Sequence, residues 1–224
     1  MGTELERTEL LLGRAAMERL ARARVAVFGL GGVGALDLVD HDVFSESNLN
    51  RQILATRETI GRDKARVAAE RVLAIRPDCR VRVHNCFYLP ETTADFDFHD
   101  YDYVIDAIDT VSGKLQLVLA ARAAGTPICC AMGTGNKLDP TQLRVGDLFE
   151  TKEDPLARVM RRELRRRGVE HLTVVWSPET PRETYTEEQK PDGRRSIPGS
   201  AIFVPAAAGL LLARQVVLDL TAGL

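Results

Sequence analysis

The sequence lacks paired cysteine motifs: Cys79, Cys86, Cys129 and Cys130 form no Cys-x-x-Cys pair. That excludes a four-thiolate zinc site of ordinary spacing and a secreted disulfide scaffold, so a reducing cytoplasm is the expected compartment. Net charge is almost absent, at -2, and no global field would draw in nucleic acid; an RNA contact would need a local basic face. Residues 1–7 alternate acidic and polar side chains without a basic start or an apolar centre, so no export signal is expected. Long apolar runs are scarce too. The candidate at 201–224 contains Arg214 and Asp219 and is interrupted by Arg214 and Gln215, whereas a membrane span needs about 20 predominantly apolar residues. A buried helix is expected there. His41, His84, His99 and His171 are scattered without ligand spacing, and no internal repeat is visible.

What is present fits one folded unit. A hydrophobic share of 45% and a charged share of 28% are ordinary for soluble globular proteins, and 224 residues accommodate a single α/β domain with a small extension. Leucines and alanines at helical spacing predict an N-terminal amphipathic helix over 7–21. The run RVAVF at 24–28 ends in glycines, as a buried parallel strand does, and ALDLV at 35–39 predicts a second strand. Helix is expected at 59–75, strand at 81–85, strand at 101–107, helix at 112–124 and strand at 127–131. Beyond Asp139, residues 144–148 have extended character, 154–167 a very basic helix, 173–176 a strand, and 205–220 a closing helix. Residues 177–198 are rich in Pro, Glu, Thr and Arg and predict a mobile crossover loop. Alternating strands and helices imply a Rossmann-like, doubly wound, mainly parallel sheet with an N-terminal helix and a C-terminal extension. The single domain, 1–224, divides into a nucleotide-binding half at 1–140 and a substrate-side and dimer-side extension at 141–224.

Gly29-Leu30-Gly31-Gly32-Val33-Gly34 follows the first strand and matches GxGxxG, in which glycines let backbone amides approach phosphate at a helix start. A plain tight turn has the same glycines. Asp40, at the end of the second strand, stands where an acid accepts hydrogen bonds from a ribose. The spacing conflicts with the motif, because parallel neighbours ordinarily need a crossover of a dozen or more residues. Three readings are open: an antiparallel hairpin through the glycines, a segment after Gly34 that lacks residues belonging there, or a nucleotide site that has been lost.

Asn48-Leu49-Asn50-Arg51-Gln52 follows a short acidic loop, and Lys64 lies three residues past Gly61. An Arg and a Lys converging on a polyphosphate would neutralise charge that develops when the α-phosphorus is attacked; on spacing alone they are equally well surface charges. Asp109, just past the strand at 101–107, is a candidate magnesium ligand or a helix N-cap. Cys129 and Cys130, in a buried-strand context, read as core rather than as nucleophiles. The helix at 154–167 carries Arg158, Arg161, Arg162, Arg165, Arg166 and Arg167, a density suited to RNA phosphates or to a solvated helix face.

The order GLGGVG, DLVDHD, NLNRQ, IGRDK and DAIDT resembles the nucleotide site of the ubiquitin-activating-enzyme-like (ThiF/MoeB-type) adenylyltransferases. RTELLLG, MGTGNKLDPTQL, DPLARVMRRELRRRG and RRSIPGSAIFVPAAAG narrow the likeness to the tRNA threonylcarbamoyladenosine dehydratases, over nearly the whole chain. The missing Cys-x-x-Cys pairs fit that branch better than the activators of sulfur-carrier proteins, which usually hold a zinc. The resemblance implies ATP and Mg2+ as cofactors, tRNA as partner and a homodimer, with sulfur-donor or carrier proteins as further partners. By position it implies Gly29, Gly31 and Gly34 at the phosphates, Asp40 at the ribose, and Asn48, Arg51, Gln52 and Lys64 around the triphosphate. Asp109 falls at the metal, Lys114 near the substrate, and Arg158, Arg161, Arg162, Arg165 and Arg166 on RNA; Arg51, Lys64 and Asp109 would be the catalytic set. The implied reaction is adenylation of the threonylcarbamoyl carboxylate and ring closure with net loss of water. The alternatives are adenylation of a ubiquitin-like sulfur carrier and a non-catalytic relative, because family members carry a helix of about a dozen residues between the glycine turn and the second strand and this chain passes from Gly34 to Ala35.

Overall fold

The computed structural model describes residues 5–28, 35–183 and 198–224. Five-residue, largely apolar runs form β1 (Arg24–Phe28) and β2 (Ala35–Val39), followed by α3 (Lys64–Ile75), β3 (Arg80–His84), β4 (Tyr103–Asp106), α4 (Val111–Ala124), β5 (Ile128–Ala131), β6 (Arg144–Asp147), α5 (Pro155–Arg165), β7 (Thr173–Trp176) and α6 (Phe203–Leu220). Two short helices, α1 (Glu6–Leu12) and α2 (Arg14–Arg22), precede them. The seven strands make one sheet in the order β3-β2-β1-β4-β5-β7-β6. All neighbours are parallel except β6, which runs antiparallel to β7 at one edge. Strand order reverses between β1 and β4, the point at which open α/β sheets leave a crevice at their carboxyl ends.

Period-two alternation sorts the strands onto two cores. Val25, Val27, Leu36, Leu38, Tyr103, Ile105, Cys129 and Val175 face one side, where α3 supplies Ala65, Ala68 and Ala69 and α6 supplies Ala208, Leu212 and Val216. On the other side, Ala26, Phe28 and Val104 meet Leu117 and Ala121 of α4 and the aromatic group Tyr88, Phe96, Phe98 and Tyr101. Farther along that face, Cys130, Val174 and Trp176 meet Met160 and Leu164 of α5. Burial on both faces is why these strands read as continuous apolar runs. Charge enters this frame at Asp37 in β2, which is buried and whose carboxylate accepts from Arg24 Nε at 3.2 Å, Arg24 Nη2 at 3.0 Å and Tyr101 OH at 3.2 Å, with His84 Nε2 at 3.0 Å.

Several expectations are corrected. The antiparallel hairpin is overturned: β1 and β2 are parallel, with Arg24 beside Ala35 and Phe28 beside Val39. A connection of six residues reaches about 20 Å at 3.3 Å or more per residue, against roughly 13 Å of strand to retrace, so short strands relax the usual crossover length. The single helix over 7–21 is broken at Gly13, whose φ of 85° no helix accepts. Helix does not begin at 59 but at Lys64, because 56–62 form turns. The loop expected to be mobile over 177–198 is anchored at its start, where Ser177 and Glu179 are buried and the Glu179 carboxylate accepts from the backbone amides of Leu138 and Asp139 at 2.9–3.1 Å; residues 184–197 lie outside the described residues. The closing helix is buried along one stripe only: Val204, Ala208, Leu212 and Val216 face the sheet, while Phe203, Leu210 and Leu218 are exposed. By length and composition alone α6 would suffice to cross a membrane.

Candidate functional site

The carboxyl ends of β2, β1 and β4 lie side by side, so the chain leaving β2 and β4 enters the crevice. Asp40 follows β2, its backbone N–H donating to the His84 carbonyl at 3.2 Å and its Oδ1 accepting from the Asp42 amide at 2.9 Å. Burial pushes its carboxyl up, offset in part by that amide and by Lys64. Asp42 is exposed; what desolvation it has works to raise its carboxyl, yet the Lys64 ammonium, donating to Oδ2 at 2.7 Å, holds it below its ordinary value. Lys64 opens α3, where its backbone amide also donates to the Asp42 carbonyl at 3.0 Å. Its side chain is almost fully buried, so the cation is delivered to the crevice by a fixed helix start and not by a loose surface arm.

Asn48, Arg51 and Gln52 sit in the turn that begins with a short 3-10 helix, Glu46–Asn48. Asn48 is buried; its side-chain oxygen accepts from the Ser45 amide at 3.1 Å and its carbonyl from the amides of Arg51 and Gln52 at 3.1 and 3.0 Å. It builds the turn that presents its neighbours. Arg51 donates to the Ser47 carbonyl and, at 3.1 Å, to Asn50 Oδ1. Asn50 in turn donates to the Ser200 carbonyl at 2.8 Å, which ties this turn to the approach of α6. Asp109 lies three residues past β4 with an exposed carboxylate, whose one hydrogen bond among the described residues is a long 3.4 Å contact from the Thr110 hydroxyl. The N-cap expected of it belongs to Thr110, which holds that position without a side-chain bond. Gly29, Gly31 and Gly34 lie outside the described residues.

Lys114 is corrected most sharply. It is fully buried, and both Asp106 oxygens accept from its ammonium at 3.0 and 2.9 Å, so no substrate reaches it. Cys129 and Cys130 are fully buried in β5 as expected, and burial pushes the Cys129 thiol up to about 12.

Below β5 the structure shows a lock that residue patterning did not reveal. Lys137 is buried, its ammonium donating to the Gly133 carbonyl at 3.0 Å, the Ser177 carbonyl at 2.9 Å and Asp154 Oδ2 at 3.1 Å. Asp154 uses its other oxygen to accept from the Ala157 amide at 2.9 Å, capping α5. Asn136, at φ 61°, exchanges bonds with Gly199 in both directions and accepts from the Arg182 amide at 2.8 Å. The motifs at 132–143, 154–168 and 194–209 therefore meet here. Arg158, Arg161, Arg162 and Arg165 of α5, with Arg166 at its C-cap, border a shallow depression of about 350 Å³. Arg161 turns inward to the Thr151 carbonyl at 2.8 Å, Arg165 lies 5.3 Å from the centre of the Phe149 ring, and Arg162 and Arg166 share Glu163.

A doubly wound sheet whose strand-order reversal gathers acidic and basic side chains at its carboxyl end defines an α/β protein of the nucleotide-binding class. A family model described as the ThiF family matches residues 5–208, and the chain belongs to that family. It is 35% identical over an alignment of 239 positions to the tRNA threonylcarbamoyladenosine dehydratase of Bacillus subtilis (strain 168), covering 97% of this chain and 94% of that protein. The protein of the same name from Escherichia coli (strain K12) is 40% identical over 171 residues, 70% of this chain and 64% of that one. Among solved structures, the E. coli tRNA N6-threonylcarbamoyladenosine dehydratase in complex with AMP superposes with a TM-score of 0.86 at 34% identity, covering 97% of this chain and 93% of that one. The same enzyme in complex with ATP gives 0.86 at 32%, covering 98% and 94%.

Proposed function

We propose that this chain is an ATP-dependent enzyme that adenylates the carboxylate of threonylcarbamoyladenosine in tRNA and then closes the modification into a ring with net loss of water. The observation that carries the reading is the match, over nearly the whole of both chains, to a dehydratase whose structures hold AMP and ATP. In the first step a carboxylate oxygen bonds to the α-phosphorus and pyrophosphate leaves. In the second, a nucleophile within the same modification attacks the activated carbonyl carbon and AMP departs. Neither step calls for a covalent enzyme intermediate, in keeping with inert, buried Cys129 and Cys130. The protein's work is positioning and charge stabilisation.

Asp40 accepts from the ribose hydroxyls, while Arg51 and Lys64 offset charge on the phosphates, with Asn48 and Gln52 shaping the turn around them. Lys64 already neutralises Asp42 at 2.7 Å, so the nucleotide competes for a cation whose helix is held in place. The exposed Asp109 carboxylate, with one long hydrogen bond among the described residues, is a hard oxygen donor that would hold a magnesium ion. Magnesium held there would supply charge neutralisation for the phosphates. The arginines of α5 meet tRNA phosphates, and Arg161, committed to Thr151, contributes least. Pairing of two copies is part of the reading and is supported by the exposed Leu10, Leu11 and Leu210; a cytoplasmic compartment is also part of the reading, supported by the tRNA substrate.

The test is incubation of the chain with ATP, magnesium and tRNA bearing threonylcarbamoyladenosine, followed by nucleoside mass spectrometry. The expected result is a product lighter by one water, with AMP and pyrophosphate formed one for one. The six residues between β1 and β2 favour one second reading, a relative that keeps the fold without a nucleotide site. Calorimetry with Mg·ATP separates the two, since that relative binds none.

A further inference from the structure

We infer that Lys114 and Asp106 are positioning residues that fix the turn presenting Asp109; this rests on the nucleotide reading above. Asp106 ends β4 and Lys114 lies in the first turn of α4, so the pair closes a ring around residues 107–110. Both charged groups are fully buried and both Asp106 oxygens are within 3.0 Å of the ammonium. Asp106 Oδ1 also accepts from the Ile108 amide at 3.2 Å, and the Lys114 amide donates to the Thr110 carbonyl at 2.9 Å. The turn is held on its other side by Gly113. A Cβ placed there would lie 2.8 Å from Ile108 Cδ1 and 2.8 Å from the Tyr88 carbonyl oxygen, so only glycine lets α4 approach this closely. The four residues thus have a buried charge pair beneath them, a backbone anchor at Ile108 and a packed helix beside them, while Asp109 itself stays exposed. A buried ion pair is weak evidence for stability, since an apolar replacement of the same shape often serves as well. A pair that grips the loop carrying an exposed carboxylate serves to aim that carboxylate.

The experiment measures ATP affinity by calorimetry with and without magnesium, in the unmodified chain, in Asp109→Asn, in the paired Asp106→Asn/Lys114→Met variant and in Gly113→Ala. No turnover is required. The paired variant removes both charges together, leaving no uncompensated buried ion, and Gly113→Ala keeps the pair but pushes on Ile108. Asp109→Asn is expected to lose the magnesium-dependent gain in affinity, and the paired variant to lose it tenfold or more while its magnesium-free ATP affinity stays within threefold of the unmodified chain. Gly113→Ala is expected to lose it severalfold, and it decides alone if the paired variant does not fold. Loss in Asp109→Asn with full retention in the folded variants overturns the positioning role and leaves the nucleotide reading standing. Retention in all of them overturns the metal assignment together with the positioning role, and no ATP binding by the unmodified chain overturns the nucleotide reading itself.

Discussion

Protonating Asp37 should loosen the sheet in a narrow, calculable window. This carboxylate is 2% exposed in the middle of β2 and is held by Arg24, His84 and Tyr101. Burial by itself would raise its pKa, but the bonds from His84 and Arg24 outweigh it and bring the carboxyl from 3.8 down to about 2. Because the folded value is the lower one, the stabilisation is complete above about 4 and is lost as pH falls through about 2. At about 1.36 kcal/mol per pH unit, the difference corresponds to about 2.4 kcal/mol at neutral pH, of which the linkage relation leaves about 1.3 kcal/mol at pH 3. Urea unfolding of the chain and of Asp37→Asn at pH 7, 4 and 3 isolates the effect, since other carboxylates titrate alike in both proteins. The stability difference between the two should shrink by about 1 kcal/mol between pH 7 and pH 3. A difference that stays constant over that range would refute the claim that the ionised Asp37 is the stabilising species.

Three further outcomes are expected. Replacing Arg158, Arg162 and Arg166 with Glu should weaken tRNA binding at least about tenfold and lower the slope of log affinity against log salt by roughly 0.7 to 0.9 for each phosphate no longer neutralised; a filter-binding series that keeps its slope would remove α5 from the RNA surface. Asp154→Ala uncaps α5 and leaves Lys137 charged and buried, a loss of about 3–5 kcal/mol in urea unfolding, and a loss under about 1 kcal/mol would mean that water replaces the carboxylate. Cys129→Ala should keep turnover, because a thiol pushed up to about 12 by burial holds almost no thiolate at neutral pH; a folded variant without activity would contradict its assignment to the core.

Much of this molecule was legible in the order of its residues. RVAVF, ALDLV and TVVW carry enough apolar and β-branched character to mark β1, β2 and β7 at their observed bounds, because a strand buried on both faces needs no partner to reveal it. Asp40, Arg51, Lys64 and Asp109 were proposed for the site by motif, and the structure puts Asp40 just past β2, Lys64 at the start of α3 and Asp109 just past β4, because functional residues in open α/β sheets cluster at the carboxyl ends of the strands. The break at Gly13 and the start of α3 at Lys64 were not legible, since a positive φ and a run of turns leave no periodic trace. Tertiary structure alone decided the direction of β2 beside β1, which local spacing argued against and strand length permitted. It alone decided that Lys114 faces Asp106 and not a substrate, and that Lys137 joins Asp154 across 17 positions. Those pairings depend on which charges the packed sheet cuts off from water, and a buried charge takes the partner that the fold places within reach.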